Sequence, residues 1–122
     1  MGICLAMGVR RIVPDFRAAD PSAGAVFYEK VLGLEVVMDL DWVVTYAAPD
    51  NPSAQINAMR EDASAPVIPD ASIEVDDVEA AYEAAQRLGS EIVHPLTDEP
   101  WGVRRFFVRD PNGRVLNILS HR

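Results

Sequence analysis

The sequence contains few of the residues that disulfides, metal sites and nucleophilic catalysis require. Its 122 residues include one cysteine, Cys4, and two histidines, His94 and His121. A single cysteine cannot form an internal disulfide, and Cys4 has no metal-ligand spacing, which is typical of a protein in the reducing cytoplasm. No serine occupies the sharp strand-to-helix turn that exposes a nucleophile. We interpret both histidines as exposed or hydrogen-bonded residues rather than ligands or bases.

The sequence also lacks long apolar runs and an excess of positive charge. No apolar stretch approaches the roughly 20 residues that span a bilayer. Eleven basic residues are outnumbered by 19 acidic ones, which gives a net charge of −8. Such a field repels nucleic acid and anionic lipid and favours a cationic partner. Length and a hydrophobic share of 49% predict one soluble domain, residues 1–122, with neither nucleic acid nor membrane as its partner. The acidic run from Glu74 to Glu83 is interpreted as a solvated strand end and helix start.

The strongest local pattern is a predicted hairpin near the C-terminus. Two apolar runs flank Asp110-Pro111-Asn112-Gly113, in which proline presets φ and glycine can take the left-handed position. A type I turn closing on that glycine adds a bulge, pairs Asp110 with Arg114, and hence Phe107 with Asn117 and Arg105 with Leu119.

This register assigns the hairpin residues to two faces. Phe106, Val108, Leu116 and Ile118 share a wholly apolar face, which we expect to pack on helices. Arg105, Phe107 and Asn117 then lie on the opposite face, which we expect to meet the ligand. Without the bulge, Arg109 would be buried unpaired at a cost of several kcal/mol, so the bulged register is preferred.

The strand–helix pattern occurs twice along the chain. The segment Leu32 to Val37 aligns with Leu88 to Val93, the turn at Asp50 aligns with the turn at Asp110, and Asn57 therefore aligns with Asn117. Each half, about residues 10–60 and 70–121, is predicted as a strand, a helix and three strands, so the fold class is α+β with two βαβββ modules. The predicted strands are Arg10–Arg17, Leu34–Met38, Trp42–Ala47, Ala54–Met59, Ala71–Val75 and Glu91–His94, followed by the hairpin. The predicted helices run from Pro21, capped by Asp20, to Gly33, and over Val78–Leu88.

These features resemble the vicinal oxygen chelate superfamily, the group of glyoxalases, bleomycin-resistance proteins and extradiol dioxygenases. The resemblance covers about residues 10–121 and rests on four cues, which are Phe27-Tyr28 with Val31-Leu32-Gly33, Glu74 to Ala81, Trp101-Gly102 and Asp110 to Gly113. It implies that the two modules form a curled mixed sheet with an open cleft. The resemblance specifies the fold and leaves the activity open.

In the family's enzymes, histidine or glutamate from strands one, four, five and eight holds a divalent metal. The corresponding residues here are Val13, Asn57, Asp70 and Asn117. Valine cannot ligate, an amide oxygen is a weak ligand, and one aspartate is too few, so we expect no metal and no other cofactor.

The sequence therefore predicts a metal-free small-molecule-binding protein, similar to the bleomycin-resistance type, that sequesters a cationic or planar ligand in the cytoplasm. A homodimer is expected because the sheets of so small a chain leave apolar rims. The alternative is a lyase, isomerase or dioxygenase-like enzyme that uses an atypical metal site or Asp70 as a base. Either Arg104 or Arg105 could line the cleft. The candidate ligand-binding residues are Val13, Asp15, Trp42, Asn57, Asp70, Ser72, Trp101, Arg105, Phe107 and Asn117.

Overall fold

A computed structural model describes residues 8–122, so Cys4 lies outside the described residues. Within these residues, eight strands and two α-helices follow one another in the predicted order. The elements are β1 Val9–Arg17, α1 Ala25–Leu32, β2 Glu35–Asp39, β3 Val43–Ala48, β4 Asn51–Met59, β5 Ala71–Val75, α2 Val78–Leu88, β6 Ile92–Asp98, β7 Val103–Arg109 and β8 Val115–His121. The predicted α+β class with two βαβββ modules is therefore confirmed. No helix among the described residues is long and apolar enough to cross a membrane.

The chain divides into two units with the same strand arrangement. The first unit, Val13–Ile68, has the strand order β2-β3-β4-β1, in which β1 and β4 are parallel and the other pairs are antiparallel. The second unit, Pro69–Arg122 with the chain before Val13, has the order β6-β7-β8-β5, in which β5 and β8 are parallel. The strand β1 passes from one unit into the other, since its residues up to Ile12 belong to the second unit.

The core of the second unit lies between α2 and one face of its sheet. Phe106 and Ile118 are 1% and 9% exposed and pack with Val75 and Val78. The ring of Tyr82 meets that of Phe106 edge-on at 4.9 Å. The helix begins where the Asp77 carboxylate accepts the Ala80 N–H at 3.0 Å and ends at Gly89, where φ is +80°. Its bounds are those the sequence predicts.

The first unit has a smaller core under α1. Val44, Tyr46 and Ala58 are buried against Tyr28 and Ala25 of the helix. The Tyr46 hydroxyl donates to the Pro21 carbonyl at 2.5 Å, and burial raises the pKa of that tyrosine above its ordinary 10.0.

The start of α1 differs from the prediction. Pro21–Gly24 forms a 3₁₀ helix before the α-helix begins at Ala25. Asp20 has the extended backbone of a cap, but its carboxylate makes no capping bond to the backbone and instead accepts the Ser22 hydroxyl at 3.1 Å. The first turn instead closes through backbone bonds, including that from the Ala23 N–H to the Asp20 carbonyl.

The bulged hairpin turn and its register are confirmed. The Asp110 N–H donates to the Arg114 carbonyl at 2.8 Å, and Gly113 has a φ of +90°. Phe107 therefore lies opposite Asn117, and Phe106 lies opposite Ile118. This places Phe107 and Asn117 on the sheet face away from α2, as the sequence predicts.

Candidate functional site

A short polar row crosses the first unit on the sheet face away from α1. Asn57 of β4 lies opposite both Thr45 of β3 and Asp15 of β1. The Asn57 Oδ1 atom accepts the Thr45 hydroxyl at 2.5 Å, and its Nδ2 donates to Asp15 at 2.8 Å. Thr45, Asp15 and the neighbouring Val13 are each about 5% exposed. Both ends of the Asn57 amide are thus used inside the unit.

The second unit carries the equivalent row, with one difference. Asn117 of β8 lies opposite Phe107 of β7 and Ser72 of β5. The Asn117 Nδ2 donates to the Ser72 hydroxyl at 3.0 Å, but the Oδ1 atom has no hydrogen-bond partner although it is buried. A buried acceptor without a donor costs about 1–3 kcal/mol. Its position therefore suits a donor supplied by a ligand or a bound water.

The row continues onto β6 through a buried charged cluster. His94 lies opposite Phe107, and its Nε2 atom contacts Glu99 Oε2 at 3.1 Å. Arg105 Nε donates to the same carboxylate oxygen at 2.6 Å. The Arg105 Cζ atom lies 4.8 Å from the Phe107 ring centroid and 4.9 Å from that of Trp101. None of His94, Glu99 and Arg105 is more than 8% exposed.

The contact with Glu99 fixes the orientation of the His94 ring. Because an ionised Glu99 accepts only, a neutral His94 ring would donate from Nε2 and keep its lone pair on Nδ1. Nδ1 has no hydrogen-bond partner among the described residues. It is also not one of the fully buried unpaired atoms, so it remains accessible. The arrangement can therefore bind a hydrogen-bond donor or accept a proton at Nδ1.

Sequence reasoning missed His94 and Glu99. The signal that could have found them is Arg105, because an arginine on a buried sheet face requires a carboxylate nearby. Glu99 is the acidic residue that precedes the Trp101 turn. The two neighbouring arginines lie on opposite faces of β7. Arg104 pairs with Glu79 of α2 at 2.9 Å, whereas Arg105 lies on the opposite face.

Two of the predicted site residues have less exposure than a ligand-stacking surface needs. Phe107 is fully buried and Arg105 is 2% exposed, although both were expected to face the ligand. The register gives their face correctly, but it does not show what covers that face. Trp101 is half-buried and reaches Arg105.

Asp70 and Trp42 do not join the polar rows. The Asp70 carboxylate accepts the Val115 N–H at 2.9 Å and lies 3.5 Å from Arg114, so it is already used in holding β5 and β8 together. This arrangement disfavours Asp70 as the free base of the alternative mechanism. Trp42 is half-buried just before β3, where its carbonyl accepts the Arg60 N–H at 3.0 Å.

A second charged cluster corrects the interpretation of the acidic run. Glu74 is only 8% exposed, and its two carboxylate oxygens contact Arg11 at 2.6 Å and His121 at 2.7 Å. Glu74 is therefore a buried carboxylate whose partly exposed partners, Arg11 and His121, link β1, β5 and β8, whereas a solvated strand end was expected.

The residues at the family's metal positions do not fit a divalent metal. Val13 offers no donor atom, both ends of the Asn57 amide are bonded within the first unit, and Asp70 is bonded to Val115 and Arg114. Asn117 alone leaves one neutral oxygen. Over residues 8–122, no three histidine, cysteine or acidic side chains come together as a metal site would require.

Solved structures share this fold at low sequence identity. A glyoxalase/bleomycin resistance protein/dioxygenase superfamily member from Vibrio splendidus is 19% identical, with a TM-score of 0.65 over 92% of this chain and 98% of that one. Methylmalonyl-CoA epimerase from Mycobacterium tuberculosis is 18% identical, with a TM-score of 0.68 over 100% and 93%. The epimerase of Streptomyces coelicolor, bound to 2-nitronate-propionyl-CoA, is 17% identical, with a TM-score of 0.67 over 93% and 99%.

The sequence itself matches one family model. No curated protein matches the chain. The model of the Glyoxalase/Bleomycin resistance protein/Dioxygenase superfamily matches residues 10–118, which include all eight strands and both helices almost completely. This chain therefore belongs to the Glyoxalase/Bleomycin resistance protein/Dioxygenase superfamily.

Proposed function

We propose that this protein binds a small organic molecule without a metal, and that the ligand donates a hydrogen bond to Asn117 Oδ1. The observation that carries the proposal is that this atom is buried and unpaired, whereas the equivalent amide of Asn57 is fully bonded. An acceptor that the protein leaves unpaired suits an N–H or O–H group of a ligand.

The electrostatics of the chain narrow the class of ligand. The net charge of −8 attracts cations and repels anions over the surface. A planar organic cation with an N–H donor would satisfy both the overall charge and the Asn117 acceptor. Sequestration of such a ligand needs neither a metal nor a free carboxylate.

Two matched asparagine variants test this proposal. Asn117→Leu removes the unpaired acceptor, whereas Asn57→Leu removes the amide that is bonded on both sides. Native mass spectrometry of the purified protein should show a co-purifying small molecule, and thermal shift should show stabilisation by a planar cation such as proflavine. Asn117→Leu should abolish both signals with little loss of stability, and Asn57→Leu should lower stability but retain them. Elemental analysis that finds about one metal per chain would contradict the proposal.

A second candidate function is proton transfer, as in an isomerase. It is favoured by the His94–Glu99 pair, because a histidine held by a carboxylate with an available Nδ1 is arranged as a general base. Two of the similar structures are epimerases acting on methylmalonyl-CoA by their descriptions. Incubating methylmalonyl-CoA with the protein in D₂O tests this candidate. Deuterium incorporation that is lost in His94→Gln and retained in His121→Gln would support it, and no incorporation by the parent would reject it for this substrate.

A further inference from the structure

A groove lies on the helix side of the second unit, between the end of α2 and the hairpin turn that begins at Asp110. Its volume is about 680 Å³, inside the range of about 300–1,000 Å³ that is usual for small-molecule sites. Ala85, Val108 and Leu116 line the groove and also pack on the core of the unit. Leu88, which is 82% exposed, lies in the wall as well. We call this space the α2 groove.

The first unit fills the equivalent position with a leucine. The repeat aligns Leu32 to Val37 with Leu88 to Val93, so Leu34 corresponds to Ser90. Leu34 packs on the core beneath α1, whereas Ser90 lines the α2 groove with a shorter, polar side chain. The fold therefore accommodates a leucine at this place, and the serine leaves the space open in the second unit.

Two carboxylates and one guanidinium line the α2 groove. Arg109 is already bonded, since its Nε donates to Glu91 Oε1 and its Nη1 donates to the Gly113 carbonyl, each at 3.1 Å. Asp110 accepts two backbone N–H groups of the turn through its Oδ1 atom. The second oxygen of each acid, Glu91 Oε2 and Asp110 Oδ2, has no hydrogen-bond partner within residues 8–122. Both oxygens can therefore accept from a donor outside the chain.

The electrostatics of the α2 groove favour a cation. The carboxylates of the lining outnumber its guanidinium, and the whole chain carries −8. The helix α2 ends in the wall at Gly89, and the C-terminal end of a helix carries a partial negative charge. Arg87, the basic residue of the last turn, lies 3.9 Å from Glu83 and is not among the described residues that line the groove. A cation is attracted by this field and an anion is repelled.

We infer that the α2 groove is a second ligand site, which binds an amphipathic organic cation such as a long-chain primary amine. The ammonium group donates to the open carboxylate oxygens of Glu91 and Asp110, and the hydrocarbon chain covers Leu88 and the apolar lining. This site differs from the one proposed at Asn117. The groove residue Leu116 lies on the α2 side of β8, and its neighbour Asn117 lies on the opposite side.

Isothermal titration calorimetry of the full chain with octylammonium and octanoate tests the charge preference. The two probes have the same number of carbon atoms and differ in the charge of the head group. Octylammonium should bind roughly tenfold more tightly than octanoate, and added salt should reduce the difference. Equal affinities, or no binding of octylammonium, would overturn the inference.

Two variants test the position of the site. Ser90→Leu places in the groove the residue that the first unit carries, and it should lower the affinity for octylammonium roughly tenfold. Leu88→Gln removes apolar wall and should lower it about fivefold. Leu32→Gln, at the aligned position of α1, is the matched control and should leave the affinity unchanged.

The exposed Leu88 variant keeps the test valid if Ser90→Leu does not fold, and circular dichroism of each variant checks the fold. Unchanged binding in a folded Ser90→Leu or in Leu88→Gln would place the amine elsewhere and overturn the inference. Glu91→Gln should weaken octylammonium binding about threefold, because it removes one exposed carboxylate.

A last pair of measurements separates this site from the one at Asn117. Asn117→Leu should leave the affinity for octylammonium unchanged, whereas Ser90→Leu should leave the stabilisation by proflavine unchanged. If Asn117→Leu abolished octylammonium binding, the amine would bind at Asn117 and the α2 groove would not be its site.

Discussion

The two neighbouring arginines of β7 allow a direct measurement of what a buried ion pair is worth in this protein. Arg105 and Glu99 lie 2.6 Å apart, and each side chain is 3% exposed. Arg104 and Glu79 lie 2.9 Å apart with side chains 30% and 46% exposed. The charges and separations of the two pairs are similar, but the exposed pair also has neighbours of opposite charge, Asp98 beside Arg104 and Arg122 beside Glu79, and the buried pair has His94 beside Glu99.

Removing the carboxylate from each pair should give very different losses. Glu99→Ala removes the buried carboxylate that Arg105 contacts at 2.6 Å, which should lower the free energy of unfolding by about 3–5 kcal/mol. Glu79→Ala removes a solvent-screened partner and should cost about 0–1 kcal/mol. The double variant Glu99→Ala with Arg105→Met should recover part of the loss, since it also removes the buried positive charge and keeps much of the apolar volume.

Urea unfolding followed by circular dichroism would measure these differences, with unchanged m-values as the check that each variant unfolds from a similar state. If Glu99→Ala lowers the free energy of unfolding no more than Glu79→Ala does, the Arg105 guanidinium is not shielded from water as its burial indicates. The orientation of His94 by Glu99 would then also lose its basis.

Three further predictions concern two buried aromatic residues and a helix cap. Phe107→Ala should cost about 3–5 kcal/mol, as much as Phe106→Ala, because both rings are at most 1% exposed; a loss below about 1 kcal/mol in urea unfolding would show that Phe107 faces a space that water already fills. The stability of the parent should fall as pH rises above 10, because burial raises the pKa of Tyr46 in the folded chain while the unfolded tyrosine ionises near 10.0. In Tyr46→Phe this part of the pH dependence of thermal unfolding should disappear. The variant should also lose about 1 kcal/mol at neutral pH, because it lacks the bond to the Pro21 carbonyl. Asp77→Ala should cost about 1 kcal/mol by removing the α2 cap, whereas Asp20→Ala, which makes no backbone cap, should cost less in the same assay.

Turn chemistry and periodicity made most of the fold predictable. The glycine of Asp110 to Gly113 admits one bulged turn, and that turn fixes the partner of every residue along β7 and β8. The cap Asp77 and the left-handed Gly89 likewise determine where α2 begins and ends. Asp20 looked equivalent to Asp77 in the sequence, but the Ser22 hydroxyl competes for its carboxylate, and the sequence does not show which donor wins.

The candidate site was less predictable because alternation gives the face of a residue and not its surroundings. The paired asparagines Asn57 and Asn117 could be located from the repeat, and both lie in equivalent rows. Which of the two keeps an unpaired acceptor depends on Thr45 lying opposite one and Phe107 opposite the other. Glu99 lies outside any regular element, so no period indicated that it would pair with Arg105.

The passage of β1 from one unit into the other has a consequence for the way the chain folds. The first unit is continuous in sequence, whereas the second is assembled from the start of β1 and the last 54 residues, Pro69–Arg122. In sequence terms the first unit is an insertion into the second, and the bonds that close the second unit, such as Arg11 to Glu74, join residues more than 60 positions apart. Closing so long a loop costs entropy, so the second unit should acquire its β1 strand late in folding, after the inserted unit has shortened the distance between the two pieces.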